Sequence, residues 1–323
     1  MQSSFSQMAF LRKLTSLYER QLVQEKKAAE LIKQEIKSCD IPFFVQRFAT
    51  QVPVFISSKV VADGKLIPSF PTSFVSGTIT DNHHLVSSLI SSQRLIGDAN
   101  INFNPVCNGI SRSNHYFAPS VAVSRDSLPA LCKAKKIRAD IKVKKQSYTS
   151  ENILIGNRKN PKNILVCHYD SFGPGAIDNA SGTTVLLNLA ITFPSLLGHT
   201  LFVIGGNEEL SYDQPIYWGR GYRMFEKNYT PQLQKARAIY VVDCVGNGKT
   251  TFDYRTDIAR LGFPIKNLER WQKKIALVYG DFEKLMKVYH SDLDTADLVN
   301  EKYLDDATQE LLKRIASSAG ADL

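Results

Sequence analysis

Asn163-Ile164-Leu165-Val166-Cys167-His168-Tyr169-Asp170 leads through Gly175-Ala176-Ile177-Asp178-Asn179-Ala180-Ser181-Gly182 into the apolar segment that starts at Thr183. The run 163–167 reads as a strand and the run 183–191 as a helix, joined by a tight glycine-rich loop. The pattern then repeats. A strand is predicted over 201–204, a helix over 217–225 and a strand over 238–243. Strand alternating with helix predicts an α/β layer with a largely parallel sheet. In such sheets ligands bind beyond the carboxyl ends of the strands. His168 follows Ile164-Leu165-Val166-Cys167, Glu208 and Glu209 follow Leu201-Phe202-Val203-Ile204-Gly205-Gly206-Asn207, and Asp243 ends Ile239-Tyr240-Val241-Val242, so all four fall in that zone.

Upstream of this layer the texture differs. Met8, Leu11, Leu14, Tyr18, Leu22, Leu31, Ile32 and Ile36 recur at three- and four-residue spacing, which predicts one long amphipathic helix over 8–37. It would serve as an oligomer contact or as a helix lying on its own domain, and the lack of a sustained heptad favours the second. From Ile41 to about Leu131 come short β-rich pieces, such as 52–61 and 74–79, broken by Pro, Gly, Ser and Asn. These predict a separate small β-rich unit. His83, His84 and His115 lie in it with no carboxylate or cysteine cluster at ligand spacing, so they read as surface or loop histidines.

Composition narrows the partners. Across 323 residues the apolar fraction is 43% and the formal net charge +9, within reach of a sizeable core. The basic stretch 133–145 is the natural place to look for nucleic-acid binding. There Ile141-Lys142-Val143-Lys144 alternates with period two, as in a strand with one buried face, and no aromatic residues interleave to stack bases. No nucleic-acid partner is expected. In the first forty residues the longest apolar run, Met8–Leu11, is too short for a signal-peptide core or a membrane span, so no membrane partner is expected either. Cys39, Cys107, Cys132, Cys167 and Cys244 are an odd number without a CxxC pair, which argues against a disulfide framework and a thiolate zinc site and points to the cytoplasm.

His168, Asp178, Glu209, Asp243 and His290 have the types that would close a pocket around two divalent ions. Each also has a plainer reading. His168 and Asp170, two apart on an emerging extended segment, would place a carboxylate beside a metal-bound imidazole, or would form a capped turn. Asp178 would bridge two metals, or punctuate the start of the following helix. Glu208 and Glu209 would divide into base and ligand because extended neighbours point in opposite directions, or would be a solvated acidic pair. Asp243 at a buried strand end needs a cation or an arginine. His290, in Tyr289-His290-Ser291-Asp292-Leu293-Asp294-Thr295 ahead of a helix predicted over 301–317, would be a ligand or a packed histidine. The count joins them: two histidines and three carboxylates give each metal one histidine, one terminal carboxylate and a shared bridge.

In the order His-x-Asp, Asp-Asn-Ala-Ser-Gly, Glu-Glu, Asp and His, these residues resemble the metallopeptidase M28 family of dinuclear zinc aminopeptidases, over about Val143 to Leu312. The resemblance implies a mixed sheet flanked by helices and peptide hydrolysis at two Zn2+; carboxylate and imidazole ligands would also accept Co2+ or Mn2+. His168 and Asp243 would hold one metal, Glu209 and His290 the other, and Asp178 both. Glu208 would be the general acid/base, and Asp170 the carboxylate that orients His168. It also implies the division 1–40 as an N-terminal helix on the peptidase domain, 41–134 as a protease-associated-like insert, and 135–323 as the M28-like domain. The substrate would be a peptide with a free N-terminus, and Asp213 and Glu226 are candidates for holding its amine. A homo-oligomer is compatible with this reading. Two rivals share the fold: a glutaminyl-cyclase-like acyltransferase with one zinc, and a non-catalytic binding protein. The sequence departs from the family in the insertion Leu210–Trp218 after the glutamate pair, and in a short stretch between Asp243 and His290.

Overall fold

The computed structural model describes residues 5–80, 85–89 and 97–319. The chain divides into two compact units. The first comprises Met1–Thr50, Thr149–Leu285 and Asp294–Leu323, and the second Gln51–Tyr148 with Met286–Leu293. Two long strands, Phe43–Ala62 and Ile137–Gly156, carry the chain between them.

In the first unit Asn163–His168 is the middle of a parallel core. Thr200–Gly205 pairs with it on one side and Ala238–Val242 on the other, and Ile275–Tyr279 continues the parallel set. Antiparallel neighbours follow at both ends, residues 153–156 of Ile137–Gly156 and Thr251–Asp253, which makes the sheet mixed. Every residue of Asn163–His168 and of Thr200–Gly205 is buried, as expected for strands covered on both faces. Ile164, Val166, Leu201 and Val203 pack against Tyr222, Phe225 and Leu233 of the Arg220–Lys235 helix. Cys167 points the other way, its Sγ 3.8 Å from Thr183 Oγ1 in the Ser181–Thr192 helix. Period-two alternation thus gives the strand two apolar faces, and each fully buried Ile, Leu or Val contributes about 1.5–3 kcal/mol.

Two helix expectations need correction. The long helix over 8–37 is two helices, Gln7–Thr15 and Leu22–Ser38. Between them Tyr18 and Glu19 take left-handed φ values of 31° and 39°, Glu19 N–H donates to Gly173 O at 2.7 Å, and Arg20 is completely buried. Long-range hydrogen bonds to a distant loop outweigh the local helical pattern. The helix expected over 217–225 starts only at Arg220, after Gly219 at φ 76°, and continues to Lys235 past Pro231, with non-helical geometry at Tyr229. A residue at such a φ is not helical, and a proline cannot donate to the preceding turn.

The second unit holds a four-stranded sheet in the order Ser69–Pro71, Ser120–Val123, Asn100–Phe103, Leu85–Ser87. Ala62 and Lys65 are paired across the two-residue turn Asp63-Gly64, whose φ values of 46° and 84° are those a tight hairpin requires. Within 74–79 only Gly77–Ile79 is strand, paired to Ala139–Ile141. In Ile141-Lys142-Val143-Lys144, Ile141 is buried while both lysines face solvent. His83 and His84 lie outside the described residues. His115 is no surface histidine: it is 1% exposed, stacked on Phe55 at 5.6 Å and edge-on to Phe74.

Burial, with Arg112 and His290 nearby, holds the His115 pKa well below the ordinary imidazole value. The sign follows: a depressed histidine contributes stability above its unfolded pKa, near 6.5, that is lost as pH falls below it. Urea unfolding should therefore show stability falling by as much as about 1.4 kcal/mol per pH unit below ~6.5. His115→Phe, which keeps the ring stack, should remove that slope; an unchanged slope would contradict the account.

Candidate metal centre

Sheet order decides which side chains meet. The central strand ends at His168, opposite Gly205 of its parallel neighbour. Glu208 and Glu209 follow Gly205 by three and four residues, and Asp243 follows the strand on the other side, its N–H donating to Val278 O at 2.9 Å. Asp178 enters from the loop that feeds the Ser181–Thr192 helix. Gly206 makes one close approach possible: a Cβ there would lie 2.6 Å from the Tyr169 hydroxyl and 2.8 Å from Glu151 O.

His168 Nε2 lies 3.2 Å from Asp178 Oδ1 and 3.4 Å from Asp243 Oδ1. His168, Asp178 and Glu209 each offer a ligand atom within 4.8 Å of the others, and so do Asp178, Asp243 and Cys244. Asp178 belongs to both trios. Cys244, which the sequence reading left unassigned, donates from Sγ to Asp243 Oδ1 at 3.3 Å. Three largely buried carboxylates around one imidazole carry more negative charge than a protonated ring offsets, and such a group is costly without a further cation. Imidazole nitrogen and carboxylate oxygen are donors that Zn2+, Co2+ and Mn2+ accept. The residues fit a divalent metal.

The same field acts on protons. Burial opposes a charge on His168, yet Tyr222 and the carboxylates of Asp170, Asp178 and Asp243 hold its pKa well above the ordinary value. Burial, reinforced by Glu209, Asp170 and Asp243 against the pull of His168, keeps the Glu208 carboxyl well above the usual carboxylate range.

Two further carboxylates hold backbone. Asp170 Oδ1 accepts the Glu208 N–H at 2.9 Å and its Oδ2 the Glu209 N–H at 3.0 Å. Residues 206–209 therefore form a bend, with Asn207 at φ 52°, rather than the extended pair expected, and strand alternation is not what separates the two glutamates. His168 Nδ1 is 3.1 Å from the main-chain oxygen of Asp170 and 3.6 Å from its carboxylate, so the main chain is the nearer partner of the ring. Asp294 repeats the device, its two oxygens accepting Ile177 N–H at 2.8 Å and Asp178 N–H at 3.0 Å. Burial pushes the Asp294 pKa up to about 7. Asn179 donates to Val242 O at 3.0 Å and accepts from Gly182 N–H at 2.9 Å, tying the Asp178 loop to the strand that precedes Asp243. Sequence reasoning missed Asp294 and Asn179. Both stand inside quoted motifs, at Asp178-Asn179 and four residues after His290, and that adjacency was the available signal.

His290 belongs to the second unit. It is 6% exposed at φ 50°, with Nδ1 3.2 Å from Arg112 O. Neither amine-holding candidate is available for that role. Asp213 is engaged by Arg220 and Arg223 at 2.8 Å each. Glu226 accepts the N–H groups of Lys266 at 2.7 Å and Asn267 at 2.8 Å. Glu226→Gln should cost about 1 kcal/mol in urea unfolding, because one part-buried N–H loses its charged acceptor. A variant as stable as the wild-type chain would show that the Glu226 carboxylate is not what holds these two amides.

Residues 153–280 match the model of peptidase family M28. The aminopeptidase YwaD of Bacillus subtilis (strain 168) is 27% identical over 226 residues, covering 58% of this chain and 49% of YwaD, so the chain spans about half the length of that curated relative. Among solved structures the fold is similar to BSAP, a zinc aminopeptidase from Bacillus subtilis, with a TM-score of 0.66, 18% identity and coverage of 98% of this chain and 96% of that one. An aminopeptidase from Aneurinibacillus sp. strain AM-1 gives 0.62, 18%, 97% and 92%. A glutaminyl cyclase from an Acidobacteriales bacterium gives 0.54, 12%, 98% and 97%.

Proposed function

We propose that the chain, whose residues 153–280 match the model of peptidase family M28, is a zinc metallopeptidase of that family, an aminopeptidase that removes N-terminal residues from peptides. The observation that carries this reading is the largely buried group that His168, Glu209 and Asp243, at or beyond the ends of adjacent parallel strands, form with Asp178 from the loop before the Ser181–Thr192 helix. These residues would hold two zinc ions, with Asp178 shared. His290 enters as the fifth ligand through the resemblance. When bound, the metals would polarise the scissile carbonyl and make water a stronger acid.

The remaining work falls to the chain. Glu208, whose buried carboxyl binds a proton more readily than usual, takes the proton that attacking water gives up and passes it to the leaving amine. One water is consumed, and an amine and a carboxylate are released. Asp170 fixes base and ligand together through their two amides, and Asp294 fixes the turn that presents Asp178. Holding such groups in place before substrate arrives is where the catalytic advantage of a rigid site lies. We also assign residues 41–134 to a protease-associated-like insert, a range that shares 51–134 with the second unit. All five cysteines are free, which supports a reducing, cytoplasmic setting. Among the described residues, no helix is long and apolar enough to cross a membrane.

Metal analysis on the sample assayed with matched free and N-blocked peptides tests the reading. Two zinc ions per chain with cleavage of only the free peptides is the expected result. One zinc with cyclisation of N-terminal glutamine would favour the glutaminyl-cyclase alternative, and metal-free protein without activity would favour a binding protein.

A further inference from the structure

Arg20 has no part in the chemistry above, yet its side chain is completely buried. An arginine taken fully out of water keeps its place only if its donors and charge are matched. Here Nε donates to Tyr169 O at 2.6 Å, Nη1 to Pro174 O at 2.5 Å and Nη2 to Gly175 O at 2.9 Å. The backbone N–H of Arg20 reaches Ser171 Oγ at 3.3 Å. All of these acceptors lie on residues 169–175, the loop that leaves His168 and returns at Asp178.

We propose that Arg20 is a positioning residue for the metal centre: one guanidinium grips both ends of the loop between His168 and Asp178 and sets the separation of those two ligands. This rests on the peptidase reading above. The planar fork is suited to the task, because its N–H groups diverge in fixed directions and bond three carbonyls at once, which a lysine ammonium on a flexible stem does not reproduce. The grip is at the right places. Tyr169 lies between His168 and Asp170. Gly175 O also accepts Ala180 N–H at 3.0 Å, and Ala176 N–H donates to Asp294 O at 3.1 Å, so the far end of the loop connects directly to the turn that Asp294 holds. Burial works against the guanidinium charge and lowers the Arg20 pKa to about 10, and Asp170, Asp294, Glu209 and Asp178 oppose that shift.

A plainer role, anchoring the N-terminal segment, would make Arg20 a folding residue. That segment has anchors of its own. Glu19 N–H bonds Gly173 O at 2.7 Å, Gln21 Nε2 bonds Asp170 Oδ2 at 3.3 Å, and Gln7 Nε2 bonds Asp305 Oδ1 at 2.6 Å. Removing the fork alone should therefore loosen the ligand spacing while the fold persists.

The test compares the full chain with Arg20→Lys and Arg20→Ala. The readouts are Zn2+ affinity by competition with a chromophoric chelator, the visible absorption of the Co2+-loaded protein, and circular dichroism without metal. Loss of an outer partner of metal ligands costs about 10- to 100-fold in affinity, and that is the loss expected in both variants. The Co2+ band should also change shape, which a general loss of stability would not produce. Methylguanidinium should restore Zn2+ affinity to Arg20→Ala but not to Arg20→Lys. Wild-type affinity and an unchanged Co2+ band in Arg20→Lys would overturn the proposal, and so would an Arg20→Lys chain unfolded without metal. A wild-type chain that takes up no zinc would overturn the peptidase reading and this inference with it; a wild-type chain that does, beside an equally competent Arg20→Lys, overturns the inference alone.

Discussion

Replacing Glu208 with Gln is expected to lower peptide turnover about 10²- to 10⁴-fold, the range in which a positioned general acid/base contributes, while zinc content per chain stays at the wild-type level. The change keeps the size of the side chain and the main-chain N–H that bonds Asp170. It removes the one function a carboxamide cannot perform, accepting a proton and giving it back. Because Glu209 N–H bonds the other oxygen of the same Asp170 carboxylate, the neighbouring ligand should stay in place. The loss should appear in kcat with little change in KM. A variant that retains most turnover would remove Glu208 from the mechanism, and one that loses its zinc would show that Glu208 supports the metals instead.

The second large effect is expected at Asp178. Asp178→Asn should abolish most zinc binding, and turnover with it, because this is the residue common to both ligand trios. A bound metal that the unfolded chain does not share stabilises the fold by mass action, about 2.7 kcal/mol at a hundredfold excess over Kd. Zinc should raise the thermal midpoint of the wild-type chain and leave that of the variant almost unchanged. The Asp178 main-chain N–H that reaches Asp294 is untouched, so the turn itself is kept. A variant with an undiminished zinc-dependent shift would mean that the metals do not depend on this carboxylate.

What was legible in the sequence was what depends on local pattern. The apolar runs after Asn163, Thr200 and Ala238 are strands because few short segments bury so many apolar side chains in succession, and their ends put His168, Glu208, Glu209 and Asp243 side by side. What was not legible depends on partners far along the chain. Arg20 looks like any exposed helical arginine until the carbonyls of Tyr169, Pro174 and Gly175 surround it, and the helix breaks there as a result. Asp294 bonds only main-chain N–H groups within this turn, and those leave no mark in the side-chain pattern. His115 reads as polar, yet two phenylalanine rings supply its surroundings. Asp213 and Glu226 were reasonable anchors by charge alone; the loop amides that occupy Glu226 lie about forty residues on, whereas the arginines that occupy Asp213 lie only seven and ten residues on, in the first turn of the next helix.

The Asp178 turn is held by Asp294, 116 residues later in the chain. On a ribosome adding about 5–20 residues per second, that separation is roughly 6–23 s of synthesis. Before that interval ends His168, Asp178, Glu208, Glu209 and Asp243 have all been made, but until it ends the turn carrying Asp178 lacks the acceptor for two of its amides. The nascent chain thus acquires the acceptor for that turn late, after both long strands and every strand of the sheet that presents His168.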